Sequence, residues 1–129
     1  MAGNASNYAE LKMLDHSLGT TAWTMPSIIR VALYTTNPTD ADTGTEVDAG
    51  GYARQAATFA AASDGTTSND AVITFGPATA DWGTVTHLGI RDAASAGNLI
   101  YYGPLSSSVT VTTNQSVQFS VGQLVISLD

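Results

Sequence analysis

The chain has 129 residues, a formal charge of −7 and no cysteine. This is the length of one domain able to bury a core without disulfide or thiolate-metal staples. Its four basic residues, Lys12, Arg30, Arg54 and Arg91, are too few and too scattered to neutralise a phosphate backbone, which excludes nucleic acid as an expected partner.

Charged residues make up only 12% of the chain, against roughly a quarter in an average domain, and Thr, Ser, Ala and Gly take their place. The opening MAGNASNYAE carries neither the basic nor the apolar segment of a cleaved signal, and no apolar run approaches the roughly 20 residues of a membrane span. The product is expected to be soluble, not exported by a cleaved signal, and without a membrane partner.

Met1 to Ser6 reads as a loose arm. Asn7 is placed to cap a helix from Tyr8 to about Leu18, with Glu10 three positions on to complete a capping box, His16 near the negative end of the dipole and Gly19 as the C′ residue. Leu11, Leu14 and Leu18 recur at helical spacing with Tyr8 one turn earlier, so one face is apolar. Such a stripe packs either on the chain's own body or on a neighbour. In the second case Tyr8, Leu11, Leu14, Leu18 and Trp23 are the expected interface. Residues 1–24 are therefore set apart as arm plus amphipathic helix, and residues 25–129 as a β-domain.

After a linker around Trp23 and Pro26, Ile28 to Thr35 alternates Ile29, Val31 and Leu33 with Arg30, Ala32 and Tyr34 and reads as the first strand. Asn37-Pro38 opens a long loop to Gly51 that holds Asp40, Asp42, Glu46 and Asp48. The spacing does not fit the twelve-residue EF-hand loop, and a solvated acidic loop is the preferred reading over a calcium site. Tyr52 to Ala62 reads as a strand alternating Ala53, Gln55, Ala57 and Phe59. The turn cluster SDGTTSND leads to Val72, Ile73 and Phe75, a run that Gly76-Pro77 stops.

Thr84 to Arg91 is expected to place Thr84, Thr86, Leu88 and Ile90 on one face and Val85, His87 and Gly89 on the other. Asp92 to Gly97 then turns the chain into Asn98 to Leu105, completing a hairpin. Three short runs close the sequence beyond Pro104: Val109 and Val111; Val117, Phe119 and Val121; Leu124, Ile126 and Leu128, with breaks at Asn114 and Gly122. About eight strands with polar turns and one N-terminal helix predict a mainly β fold, a two-sheet antiparallel sandwich of jelly-roll type.

No residue pattern carries catalysis. His16 and His87 share no metal-ligand spacing with each other or with a carboxylate, and His87 reads as a surface or half-buried polar residue. The serines lack a nucleophile elbow, and no glycine-rich phosphate loop is present. Neither enzymatic activity nor a cofactor nor a metal site is expected. Trp82, Tyr101 and Tyr102 suggest a sugar-stacking patch, but the stronger reading is that Trp82-Gly83 plugs the end of the sandwich while one tyrosine of the pair points in and the other out.

The segments GGYARQAATFAAAS (50–63), ADWGTVTHLGIRDA (80–93) and GNLIYYGPL (97–105), with LKMLDHSLGTTAW and RVALYTTNPTDADTGTEV before them, resemble a family of short tailed-bacteriophage proteins labelled tail-fibre or virion structural proteins. Tyr52-Ala53-Arg54 and Trp82-Gly83 are its most recognisable motifs. The resemblance implies a non-enzymatic part of a virus particle, made in the host cytoplasm and located in the virion. Its implied partners are copies of itself, as a trimer, and other virion proteins such as the major capsid protein. The compact sandwich without a shaft, and the free arm with its apolar helix, point to a capsid decoration or cement protein; a tail fibre or baseplate component involved in host attachment is the alternative.

Overall fold

Alternating apolar residues dictate paired strands. In the computed structural model, which describes residues 4–128, they form one five-stranded antiparallel sheet and two smaller antiparallel ribbons. The sheet runs β1 (Asn4–Ala5), β7 (Leu99–Val111), β6 (Gly83–Arg91), β2 (Arg30–Tyr34) and β3 (Gln55–Ala56). One ribbon pairs β4 (Thr66–Ser68) with β9 (Val125–Ser127), and the other pairs β5 (Ile73–Phe75) with β8 (Val117–Phe119). A single helix, α1 (Asn7–Ser17), lies near the start. The fold is mainly β and consistent with a sandwich. Val31, Leu33, Val85, Leu88 and Ile90 from the sheet meet Ile73, Phe75, Val117, Phe119, Leu124 and Ile126 from the ribbon side in one buried core.

Three local expectations change. Asn4–Ala5 pairs with Tyr101 and Tyr102, and Ser6 is buried with its N–H on the Ile100 carbonyl, so the part of the arm within the described residues is tied down as an edge strand. Met1 to Gly3 lie outside the described residues. The stretch expected to be one strand over 52–62 pairs as a strand only at Gln55–Ala56, with a single further bridge from Phe59 to Asn69, because the chain changes partners between them. Ala57 N–H bonds to Ile29 on the sheet side, whereas Ala60 N–H bonds to Ser68 on the ribbon side. The run after Asn98 does not stop at Pro104 but continues as one 13-residue strand. Pro104 is tolerated because β1 covers only Tyr101 and Tyr102, and because the β6 pairing shifts register just past it, between Val85 and His87.

That register shift also overturns the expected faces of β6. Val85, Leu88 and Ile90 are all buried in the core, because an irregularity between Val85 and His87 rotates the strand by one residue. His87 is half-buried, as expected, with Nδ1 2.8 Å from the Thr86 hydroxyl, and burial lowers its pKa.

Gly89, at the centre of β6, is required by packing. A Cβ there would stand 2.7 Å from Leu99 Cδ1 and 2.8 Å from Tyr34 Cε2, and both of those side chains are fully buried. Gly89→Ala is expected to cost about 2 kcal/mol through overpacking, read as a lower urea midpoint at unchanged slope.

Candidate interaction surface

The helix is fixed at both ends and presents its apolar stripe outward. Ser6, not Asn7, is the N-cap: its side chain accepts from Ala9 N–H and donates to the Leu99 carbonyl, while Asn7 N–H bonds to the Asp40 carbonyl at 2.9 Å. The cap moves one residue back because β1 delivers Ser6 against β7, and Glu10 consequently falls outside a capping box. At the other end Gly19 takes φ 78° as the C′ residue, with Gly19 N–H on His16 and Thr20 N–H on Asp15, the paired bonds of a Schellman motif.

Ala9 is fully buried beneath the helix. At 3.6 residues per turn Leu11, Leu14 and Leu18 lie on the side opposite Ala9, and they are 64%, 57% and 75% exposed. Tyr8 and Trp23 do not join them. They pack against each other edge to face at 6.2 Å, half-buried, with the Lys12 ammonium 5.7 Å from the Tyr8 ring centre. Trp23 N–H donates to His16 Nδ1 at 3.0 Å, which folds the linker back onto the helix. The structure thus separates the five expected interface residues into an exposed leucine stripe and an aromatic brace.

The acidic loop is stitched to its own chain, which the sequence reading missed. Arg91 clasps Asp42 with two 2.8 Å bonds and also donates to the Tyr34 hydroxyl and to the Ala96 and Gly97 carbonyls. Arg54 clasps Glu46 in the same bidentate way and donates to the Ala93 and Ala96 carbonyls. Tyr52 donates its hydroxyl to Glu46 at 2.7 Å while accepting Leu33 N–H at 3.0 Å, and Tyr102 donates to Asp40. Three of the four loop acids are therefore engaged with the chain itself. No spacing rule joins Asp42 to Arg91 across 49 positions, so only the fold reveals the pair.

Burial pushes the Glu46 carboxyl up, but the hydrogen bonds from Arg54 and Tyr52 and the guanidinium charge outweigh it, and its pKa is lowered. A carboxylate held lower in the folded than in the unfolded chain stabilises the fold above the ordinary glutamate range and loses that contribution as pH falls through the folded value. Glu46→Gln is accordingly expected to flatten the acid limb of stability below about pH 4.5, measured by denaturant midpoints from pH 7 to pH 3.

The aromatic motifs are structural. Trp82 is buried, its indole N–H donates to the Gly50 carbonyl at 2.8 Å, and its ring meets Tyr52 edge to face at 5.6 Å. Tyr102 is buried and Tyr101 half-buried. A flat stacking platform built from Trp82, Tyr101 and Tyr102 is thereby overturned; these rings fill the body.

On the far side of Tyr101 the sheet and the β4–β9 ribbon splay apart. They leave an apolar groove of about 270 Å³ lined by Ile29, Phe59, Ile90, Ile100, Ile126 and Leu128, with almost no polar atoms in its wall. Among the described residues no helix is long and apolar enough to cross a membrane.

A family model described as Podophage GP4 fiber I protein gp80 matches residues 4–127, from β1 to the end of β9. The chain belongs to this family. The matched range includes the helix as well as the sheet. The resemblance drawn from the 50–63, 80–93 and 97–105 segments is thereby shown at the level of a bacteriophage virion family. No curated protein matches the chain.

Proposed function

We propose that this chain is a non-enzymatic structural protein of a bacteriophage virion, held in the particle through α1. The observation that carries the reading is the leucine stripe. Three large apolar side chains stand on the helix face turned away from the chain's own core, on a helix secured at both ends. Exposed ion pairs contribute only about 0–1 kcal/mol each, and the best charge pairs here are internal. Apolar burial is left to supply affinity, at about 1.5–3 kcal/mol per leucine covered, and many copies multiply a modest single-site affinity.

Two positions in the particle suit this reading. The compact β-sandwich body supports a capsid decoration or cement protein. The family's description as a fiber I protein supports a tail-fibre component. Counting copies per particle separates them: hundreds for decoration, a small multiple of three or six for a fibre.

Replacing Leu11, Leu14 and Leu18 together by Gln is expected to leave the fold intact, because all three are exposed, and to remove the protein from purified particles. A particle that retains the variant in full overturns attachment through α1.

A further inference from the structure

We propose that the cleft between Arg30 of β2 and the turn that follows β6 is a binding site for a small hydroxylated carboxylate, such as a sugar acid. No residue of α1 lines this cleft, so the inference is independent of attachment through the helix.

The fold gathers the basic residues that the sequence scatters. Arg30 stands directly opposite Arg91 across the β2–β6 pairing, Arg91 and Arg54 both donate to the Ala96 carbonyl, and Arg30, Arg54 and Ala96 line one open cleft of about 690 Å³. Three of the four basic residues of an acidic chain therefore meet at one place. Like charges opposite each other on neighbouring strands repel, and two of the three are neutralised on the spot, Arg91 by Asp42 and Arg54 by Glu46. Arg30 is not.

Among the described residues Arg30 joins neither ion pair, and its Nε is closed off from solvent without a hydrogen-bond partner. With eleven acidic residues against four basic, the chain has acids to spare, so a half-buried arginine without one is an exception. A guanidinium that has lost water on one edge and gained no acceptor is the kind of group that a bound anion compensates.

The rest of the wall selects among anions. Asp48 lines the same cleft, is exposed, and among the described residues stands outside ion-pairing distance of any basic side chain. Being hydrated, it has no need of Arg30. Its negative charge disfavours a dianion such as phosphate, whereas a single carboxylate meets the planar fork of an arginine with two parallel bonds. The Asp48 carboxylate and the exposed Ser95 hydroxyl also give hydroxyl groups of a ligand an acceptor and a donor. The volume lies within the about 300–1,000 Å³ of ordinary ligand clefts.

The test uses the full-length protein. Isotope-labelled protein is titrated with sodium acetate, glucuronate, glucose and inorganic phosphate while the arginine Nε–H signals are followed by NMR, the Arg30 signal being the one missing from Arg30→Gln. Acetate and glucuronate are expected to move it saturably, glucuronate at about tenfold lower concentration, the gain from one added hydrogen bond. Glucose is expected to leave it in place, and phosphate to act no more strongly than acetate. The Arg54 and Arg91 signals, already committed to Glu46 and Ala96, are the internal references. Asp48→Ala is expected to strengthen acetate and to remove the advantage of glucuronate.

No saturable shift with either acid overturns the proposal, and that reading is made on the parent protein, whatever the variants do. Phosphate acting as strongly as glucuronate overturns it too, since the cleft would then hold an unselective cation. Equal strength of acetate and glucuronate overturns the hydroxylated part of the assignment. A shift of the Arg30 signal in ligand-free Asp48→Ala as large as that at saturation would mean that Arg30 and Asp48 pair with each other in solution, and the site falls.

Discussion

Trp82→Ala is expected to destabilise the protein by about 4 kcal/mol, the middle of the range for truncating a buried aromatic. For a domain of this size that lowers the melting temperature by about 15 °C. The indole is 4% exposed and closes the end of the sandwich where the Gly50 region crosses the entry to β6. Removing it takes away the edge-to-face partner of Tyr52, whose ring in turn stacks on Phe75. It also removes one of the two hydrogen bonds that the Gly50 carbonyl accepts, leaving the one from Thr79 N–H.

Trp82→Phe separates these contributions. It retains most of the apolar filling and loses the hydrogen bond, so it is expected to cost about 1–2 kcal/mol. Thermal and urea unfolding of the two variants provide the measurement. A Trp82→Ala protein as stable as the parent would mean that the end of the sandwich recloses without the ring.

Arg91→Ala is expected to cost about 3 kcal/mol. The guanidinium is almost entirely buried and uses its fork on Asp42, Tyr34 and two carbonyls. Burial alone would lower the Arg91 pKa, but the hydrogen bonds to Asp42 and Tyr34 outweigh it and raise it, so the group stays charged throughout the range in which the fold exists. Breaking a buried pair by deleting one partner leaves the other uncompensated. Here Asp42 is about one-third exposed and regains water, which holds the loss to the lower part of the about 3–5 kcal/mol range.

The buried Tyr34 hydroxyl has no such escape. Arg91→Lys is expected to recover less than half of the loss, because a point charge does not reproduce a five-donor fork. The urea midpoint of each variant, with hydrogen exchange across residues 37–51, checks both the magnitude and the release of the loop that Asp42 secures. Full recovery by lysine would show that charge and not geometry holds the loop.

Much of this fold was legible as alternation. Ile73 and Phe75, and Val117 and Phe119, are each spaced by two and buried in the core with exposed Thr74 and Gln118 between them, because a strand between a core and water sorts its side chains by parity. The helix was legible from its period and from Gly19, whose left-handed turn ends it. Even the plugging role of Trp82 followed from a bulky ring beside a glycine at a strand entry.

Local pattern failed wherever pairing partners decided. Val85 joined Leu88 and Ile90 only because β6 and β7 shift register, and Pro104 stayed within a strand only because its open edge needs no donor there. The N-cap moved to Ser6 because β1 finds an edge on β7.

The candidate surface divides along the same line. The sequence by itself determined that Leu11, Leu14 and Leu18 share a helix face, since helical period is a local property. It could not determine whether that face covers the chain's own core or is left for another, because that depends on which side of α1 meets the sheet. Tertiary structure decided it by burying Ala9. It likewise assembled the groove from Ile29, Phe59, Ile90 and Ile126, residues that are far apart in the chain and become one wall only when sheet and ribbon diverge. It joined Asp42 to Arg91 and Glu46 to Arg54 for the same reason: the distance between two charges is set by the path of the backbone, which no residue spacing in the sequence records.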